Sequence, residues 1–133
     1  MSVTSYDPKK VNVVVDGTTL TGFASDGIIT VSKSEDAVTT QVGVQGDVAY
    51  EENANESGTV AVTLMQTSSS LAKLRSLASK RKRFPITISD ANDDDSINVS
   101  GADCRVLKMP DVVRGKNIGT VTVNIFVPNL VIR

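Results

Sequence analysis

Four groups of side chains have the types and spacing to do chemistry: the oxygen-rich run Asp90-Ala91-Asn92-Asp93-Asp94-Asp95, the lone Cys104, the cationic run Lys80-Arg81-Lys82-Arg83, and the acidic pairs Glu35-Asp36 and Glu51-Glu52. Oxygen ligands alternating at Asp90, Asn92 and Asp94 are how a calcium loop begins. Counted from Asp90, such a loop needs Gly at its sixth position and a bidentate Glu at its twelfth, where this chain has Asp95 and Gly101, so a solvated turn is expected instead. Cys104 would need a neighbouring base or cation to become a thiolate. The chain has no His, and Cys104 lies in a strand-like run, so it reads as a small buried residue.

The run Lys80–Arg83 closes a helical pattern, where cations meet the negative end of the helix dipole. Contact with an acidic neighbouring subunit is the functional alternative to that structural reading. In the acidic pairs, adjacent strand residues point to opposite faces and adjacent loop residues are solvated, so neither pair is placed for shared acid/base work. Asn55-Glu56-Ser57 and Asn98-Val99-Ser100 fit the glycosylation pattern but read as chance without an export signal. Lack of His removes the commonest general base and the commonest transition-metal ligand together. The expectation is a protein with no catalytic, cofactor or metal site, not an enzyme.

Composition narrows the class further. At 133 residues the chain is expected to form a single domain, 1–133, burying about two-thirds of its unfolded surface. Trp is absent and Phe and Tyr total five, so Val, Ile, Leu and Ala must build the core, which favours strands. A net charge of −1 supplies no basic field for dedicated DNA binding. No apolar run reaches the ~20 residues that span a bilayer, so no membrane insertion is expected. One cysteine and no cationic-then-apolar leader point to folding in a cytoplasm.

The elements that must position these groups are mostly short strands. Val11, Val13 and Val15 run up to Asp16-Gly17, a tight-turn dipeptide, and Leu20 and Phe23 continue to a second such signal at Asp26-Gly27. Four longer strands are expected at 28–33, 37–44, 58–66 and 118–127, each with an apolar face and a neutral polar face. The symmetry of the second and third suggests that they pair antiparallel. Between them, 45–57 reads as a long acidic loop carrying Asp47, Val48, Tyr50, Glu51, Glu52, Asn53, Asn55 and Glu56. Hydroxyls at 67–70 precede Leu71, Leu74, Leu77 and Ala78, whose spacing predicts a Ser-capped amphipathic helix over about 68–82 that Pro85 terminates. About seven to eight strands with one flanking helix make the fold mainly β, a small sandwich or half-open barrel.

The order of these elements is distinctive. The turn Asp26-Gly27, strand Ile28-Ile29-Thr30-Val31, charged Glu35-Asp36, the stretch ending Val42-Gly43-Val44-Gln45-Gly46-Asp47, the acidic Asn-rich loop, Ser57-Gly58-Thr59-Val60-Ala61-Val62-Thr63-Leu64 and Gln66-Thr67-Ser68 before a Leu-bearing helix follow one another. This order resembles the tail-tube proteins of contractile-tailed bacteriophages, fold relatives of type VI secretion and phage-tail-like bacteriocin tubes. The resemblance implies a structural virion subunit whose copies form rings, six to a ring, that stack into a tube for DNA ejection. It implies assembly with itself, with sheath and with baseplate or terminator proteins, location in the virion tail after assembly in the host cytoplasm, and DNA as transient, non-specific cargo. Thr39, Gln41, Thr59, Thr63, Thr120, Thr122 and Asn124 are then the expected lumen-facing residues, and the 45–57 loop the expected inter-ring contact. A tube-initiator or baseplate subunit, or a secretion-type tube, would carry the same pattern. A ligand-binding β-sandwich module is the rival of another class, but Tyr6, Tyr50 and three scattered Phe make no aromatic platform.

Overall fold

A computed structural model describes residues 3, 5–25, 29–92 and 96–133. Its elements are β1 (Val11–Val15), β2 (Thr18–Thr19), β3 (Ile29–Lys33), β4 (Val38–Val42), β5 (Val48–Glu52), β6 (Gly58–Met65), α1 (Ser70–Lys80), β7 (Phe84–Asp90), β8 (Ile97–Val106), β9 (Thr120–Val127) and β10 (Val131–Ile132). The protein is mainly β, and its sheet does not close into a barrel.

Two antiparallel sheets share one strand. In the first, β2-β1-β7 lead to the N-terminal half of β8, which also pairs with β10. In the second, the C-terminal end of β8 pairs with β9, then β6, then β3. β8 changes sheets over Gly101–Cys104, where Asp103 adopts a left-handed φ of 57° and the register against β7 slips between Phe84 and Ile86. A bulge of this kind bends a strand around a corner. Gly101 is required there because a Cβ would collide with the Val127 side chain.

The core fills the angle between the sheets. Val13, Val15, Ile86, Ile88 and Val99 come from the first, and Val60, Val62, Leu64, Val121, Val123, Ile125 and Val127 from the second. The helix closes it with Leu71, Leu74 and Leu77. Each such aliphatic, once buried, contributes about 1.5–3 kcal/mol. Along β6 and β9 burial alternates residue by residue, as the period of two demands.

Several expectations change. The turn signal at Asp16-Gly17 does join β1 to β2, with φ values of 50° and 78°. The signal at Asp26-Gly27 and the end of the acidic run, 93–95, lie outside the described residues. The strand expected at 37–44 is Val38–Val42, and it pairs with β5 rather than with β6. The 45–57 segment is therefore not a loop throughout: Val48–Glu52 is a strand, because the turn across Gly43–Asp47 folds the chain straight back (Gly43 N–H to Asp47 O 2.7 Å; Gly46 φ 91°). The helix is shorter than expected. Ser69 occupies its cap without a side-chain bond, and Ser68 Oγ instead accepts from the Ser70 amide at 3.2 Å.

Candidate assembly surface

The strands β4 and β5 form a separate two-stranded sheet, all of whose residues are exposed. Register sorts the side chains of this hairpin. Val42 faces Val48, Thr40 faces Tyr50 and Val38 faces Glu52, so one side presents three valines and a tyrosine; Thr39–Glu51 and Gln41–Ala49 make the other side. Tyr50 is 71% and Val42 68% exposed, and Val44 at the turn is wholly so. An isolated two-stranded hairpin is marginal in water, and this one exposes Val38, Val42, Val48 and Tyr50 on a side shared with Thr40 and Glu52.

Its root is exposed but hydrogen-bonded within the chain. The Asn53 amide donates to Glu35 Oε2 (2.8 Å) and to the Asp36 carbonyl (3.0 Å), and the Asn53 N–H to Ala37 O (2.9 Å). Asn55 Oδ1 accepts from both the N–H and the hydroxyl of Ser57, and the Ser34 N–H donates to Ser57 O. The Asn53 hydrogen bond, then one from Asn55, holds the Glu35 carboxyl below its ordinary value. Thr39 donates to Glu51 Oε2 at 3.0 Å. Of the eight residues expected at an inter-ring loop, Asn53 and Asn55 thus have their amides engaged within the chain, while Val48, Tyr50, Glu51 and Glu52 lie on the hairpin and Asp47 at its turn.

The expected lumen residues divide. Thr59, Thr63, Thr120, Thr122 and Asn124 share the outward face of the β6–β9 ladder, where Thr63 faces Thr122 with their hydroxyls 3.2 Å apart. Thr39 and Gln41 do not join them; they sit on the hairpin, since β4 leaves the main sheet. Their places beside β6 are taken by Thr30 and Ser32 of β3. Ala61, Met65 and Phe126 complete the face, and Arg105 of β8 borders it opposite Phe126. The outcome is a neutral wall with one cation at its margin.

Other candidates keep structural roles. Cys104 is fully buried, and burial pushes its thiol up to about 11, which suits packing and not nucleophilic attack. Lys82, with Lys73, binds Asp16 (3.0 and 3.3 Å), and the Lys82 hydrogen bond is the main cause that lowers the Asp16 carboxyl. Asn92 is buried and accepts from the Asp7 N–H while donating to Asp90 and Asp7, which ties the N-terminal segment to β7. Among the described residues no metal-binding cluster and no membrane-length helix is found.

Sequence reading missed one exposed apolar stretch. Leu107, Met109, Val112, Val113 and Ile118, in the connection from β8 to β9, are all largely exposed. The available signal was apolar residues without strand or helix period, in a segment interrupted by Pro110.

A corner-sharing pair of sheets, a neutral outward wall and an exposed two-stranded hairpin define a mainly β protein with much of its apolar surface outside its own core. The family described as bacteriophage PhiTE tail tube protein matches residues 13–88, more than half of the chain, and the chain belongs to that family of structural proteins. In fold it is similar to a chain of the virion of a native gene transfer agent particle (TM-score 0.67, 12% identity, covering 97% of this chain and 99% of that one). It is also similar to a chain of the sheath/tube terminator of the PVC extracellular contractile injection system (0.63, 9%, 97% and 96%). The cap that terminates the anti-feeding prophage tube gives 0.61 at 8% identity, covering 100% and 94%. No curated protein matches.

Proposed function

We propose that the chain is the ring-forming subunit of a phage tail tube, acting as one unit over its whole length, with the rings stacking into a channel through which DNA leaves the virion. The hairpin carries the reading: a wholly exposed, two-stranded element with a valine and tyrosine side gains stability only when another surface covers it. The second sheet adds the geometry. Among the described residues its edges, β3 and the Arg105–Val106 end of β8, have no further strand partner and lie on opposite sides, so head-to-tail pairing can continue from copy to copy and close into a ring. The neutral ladder face then becomes the lumen wall, wettable but without the Lys/Arg lining whose counterion-release affinity would hold DNA back. The apolar hairpin reaches neighbouring subunits, and sheath, baseplate and terminator proteins complete the tail, which is assembled in the host cytoplasm.

Electron microscopy of the purified chain is expected to show hollow filaments or rings, and a chain whose residues 37–53 are replaced by a short Gly-Ser turn is expected to remain folded but dispersed. A wild-type chain that stays monomeric at high concentration, or a hairpinless chain that polymerises normally, would overturn the reading.

A further inference from the structure

Asp16 and Gly17 form the two-residue turn between β1 and β2, closed by the Val15–Thr18 pair. Among the described residues Asp16 is the only aspartate followed by glycine, and no asparagine of the chain is. Such a dipeptide is open to a spontaneous backbone rearrangement, because the missing Cβ of its second residue lets that residue's amide nitrogen reach the aspartyl carboxyl. Two local facts leave the route clear here. No backbone acceptor among the described residues takes the Gly17 N–H, and nothing lies within 4 Å of where a Gly17 Cβ would stand.

The reaction joins Gly17 N to Asp16 Cγ. In the neutral acid the Cγ–OH bond breaks as the N–Cγ bond forms, and the hydroxyl leaves as water with the amide proton, giving a five-membered succinimide. Water then adds back. At Cγ it restores aspartate; at the main-chain carbonyl carbon of Asp16 it leaves the chain running through Cγ, as isoaspartate. The ionised carboxylate is a far poorer substrate, since it would have to expel an oxide. The protonation and freedom of one carboxyl therefore set the rate.

Both are controlled by residues far away in sequence. Lys73 of α1 and Lys82, just beyond the helix, donate to the same oxygen, Asp16 Oδ2, at 3.3 and 3.0 Å, while the Asp16 N–H donates to Pro85 O at 3.0 Å. The Lys82 hydrogen bond, with that of Lys73, holds the carboxyl below its ordinary value. As a source of stability a partly exposed ion pair of this kind is worth little. On a reactive carboxyl it acts through ionisation, where each pKa unit changes the neutral fraction about tenfold. We propose that Asp16-Gly17 is an aspartyl-isomerisation site and that Lys73 and Lys82 keep it in check by holding the carboxyl ionised and restrained. Isoaspartate adds a backbone carbon to the turn and draws the carboxylate off both lysines, which cuts the tie between the β1–β2 turn and the end of α1.

The test ages the full chain in mildly acidic buffer and locates isoaspartate by electron-transfer fragmentation, which separates residue 16 from Asp26 of the sequence's other Asp-Gly. Lys73→Gln with Lys82→Gln is expected to accumulate isoaspartate at position 16 about threefold faster than wild type or more, as the neutral acid becomes commoner. Lys73→Arg with Lys82→Arg keeps charge and donors and is expected to age at close to the wild-type rate. Wild type unfolded in urea sets the unprotected rate, expected to exceed that of the folded chain. Melting temperatures of the fresh chains check folding; should the double glutamine change unfold the protein, Lys82→Gln alone, which removes the shorter bond, is read in its place. Equal rates for wild type and the glutamine variant would overturn the proposal. So would an arginine pair that ages as fast as the glutamine pair, or a wild-type chain that isomerises as fast folded as in urea.

Discussion

The hairpin β4–β5 and the ladder β6–β9 are both antiparallel pairs with valines on alternate positions, yet one is wholly exposed and the other supplies seven buried residues of the core. On β6 the apolar side meets a second sheet and α1 within the same chain; on β4 it stays exposed among the described residues. Equal alternation therefore encodes two outcomes: an internal face that stabilises the chain, and an external one left exposed, which the proposed assembly would cover. The difference lies in what flanks the strands. β6 runs between β3 and β9, whereas β4 is turned back on β5 by Gly43 to Asp47 and leaves the sheet.

The largest expected contrast is in stability. Leu64 is fully buried, so Leu64→Ala should cost the isolated subunit about 2–5 kcal/mol through lost contacts and the cavity left behind. Val42→Ala should change the same urea-unfolding free energy by less than about 0.5 kcal/mol, while weakening assembly. If Val42→Ala destabilised the subunit as strongly, the hairpin would have an intramolecular partner and the contrast would fall.

A smaller effect concerns the two outward faces of the body. Thr63→Lys with Thr122→Lys places cations on the proposed lumen wall and should slow DNA delivery in an ejection assay while tubes still form. Thr87→Lys with Ser100→Lys, which face each other on the outside of the first sheet, should leave delivery unchanged. Equal outcomes for the two pairs would remove the lumen assignment from the β6–β9 face.

The smallest effect is acid sensitivity, which again separates body from hairpin. Asp16, bound by Lys82 and Lys73, and Glu35, bound by Asn53, both have carboxyls held below their ordinary values. A depressed acid contributes stability above its unfolded pKa and loses it as pH falls through the folded one, so both contributions are present at neutral pH and fade below about pH 4. Asp16→Asn should flatten the acid dependence of the subunit's melting temperature. Glu35→Gln should leave melting unchanged and speed amide exchange only around Ser34 and Asn53, as followed by NMR.

Legibility in the sequence tracked how local each cause was. The β6 and β9 faces were readable because a strand buried on one side must alternate, and the helix because Leu71, Leu74 and Leu77 recur at its period. The partner of Val38–Val42 was not, since alternation names no mate; the residues expected to pair with it, in β6, pair with β3 and β9. The bonds from Asn53 to Glu35 and Asp36 were not legible either, because they join the two sides of the hairpin root and composition says nothing about such wiring. Thr39 and Gln41 were grouped with Thr59 and Thr122 for the same reason: residue type is shared, position is not.

By itself the sequence determined an aliphatic, strand-rich protein with no His and a single Cys, because residue type and short-range period settle which backbone forms. Only the tertiary structure decided which valines are core and which are surface, and which polar row forms a common face, because pairing partners and sheet corners depend on contacts between residues far apart in the chain.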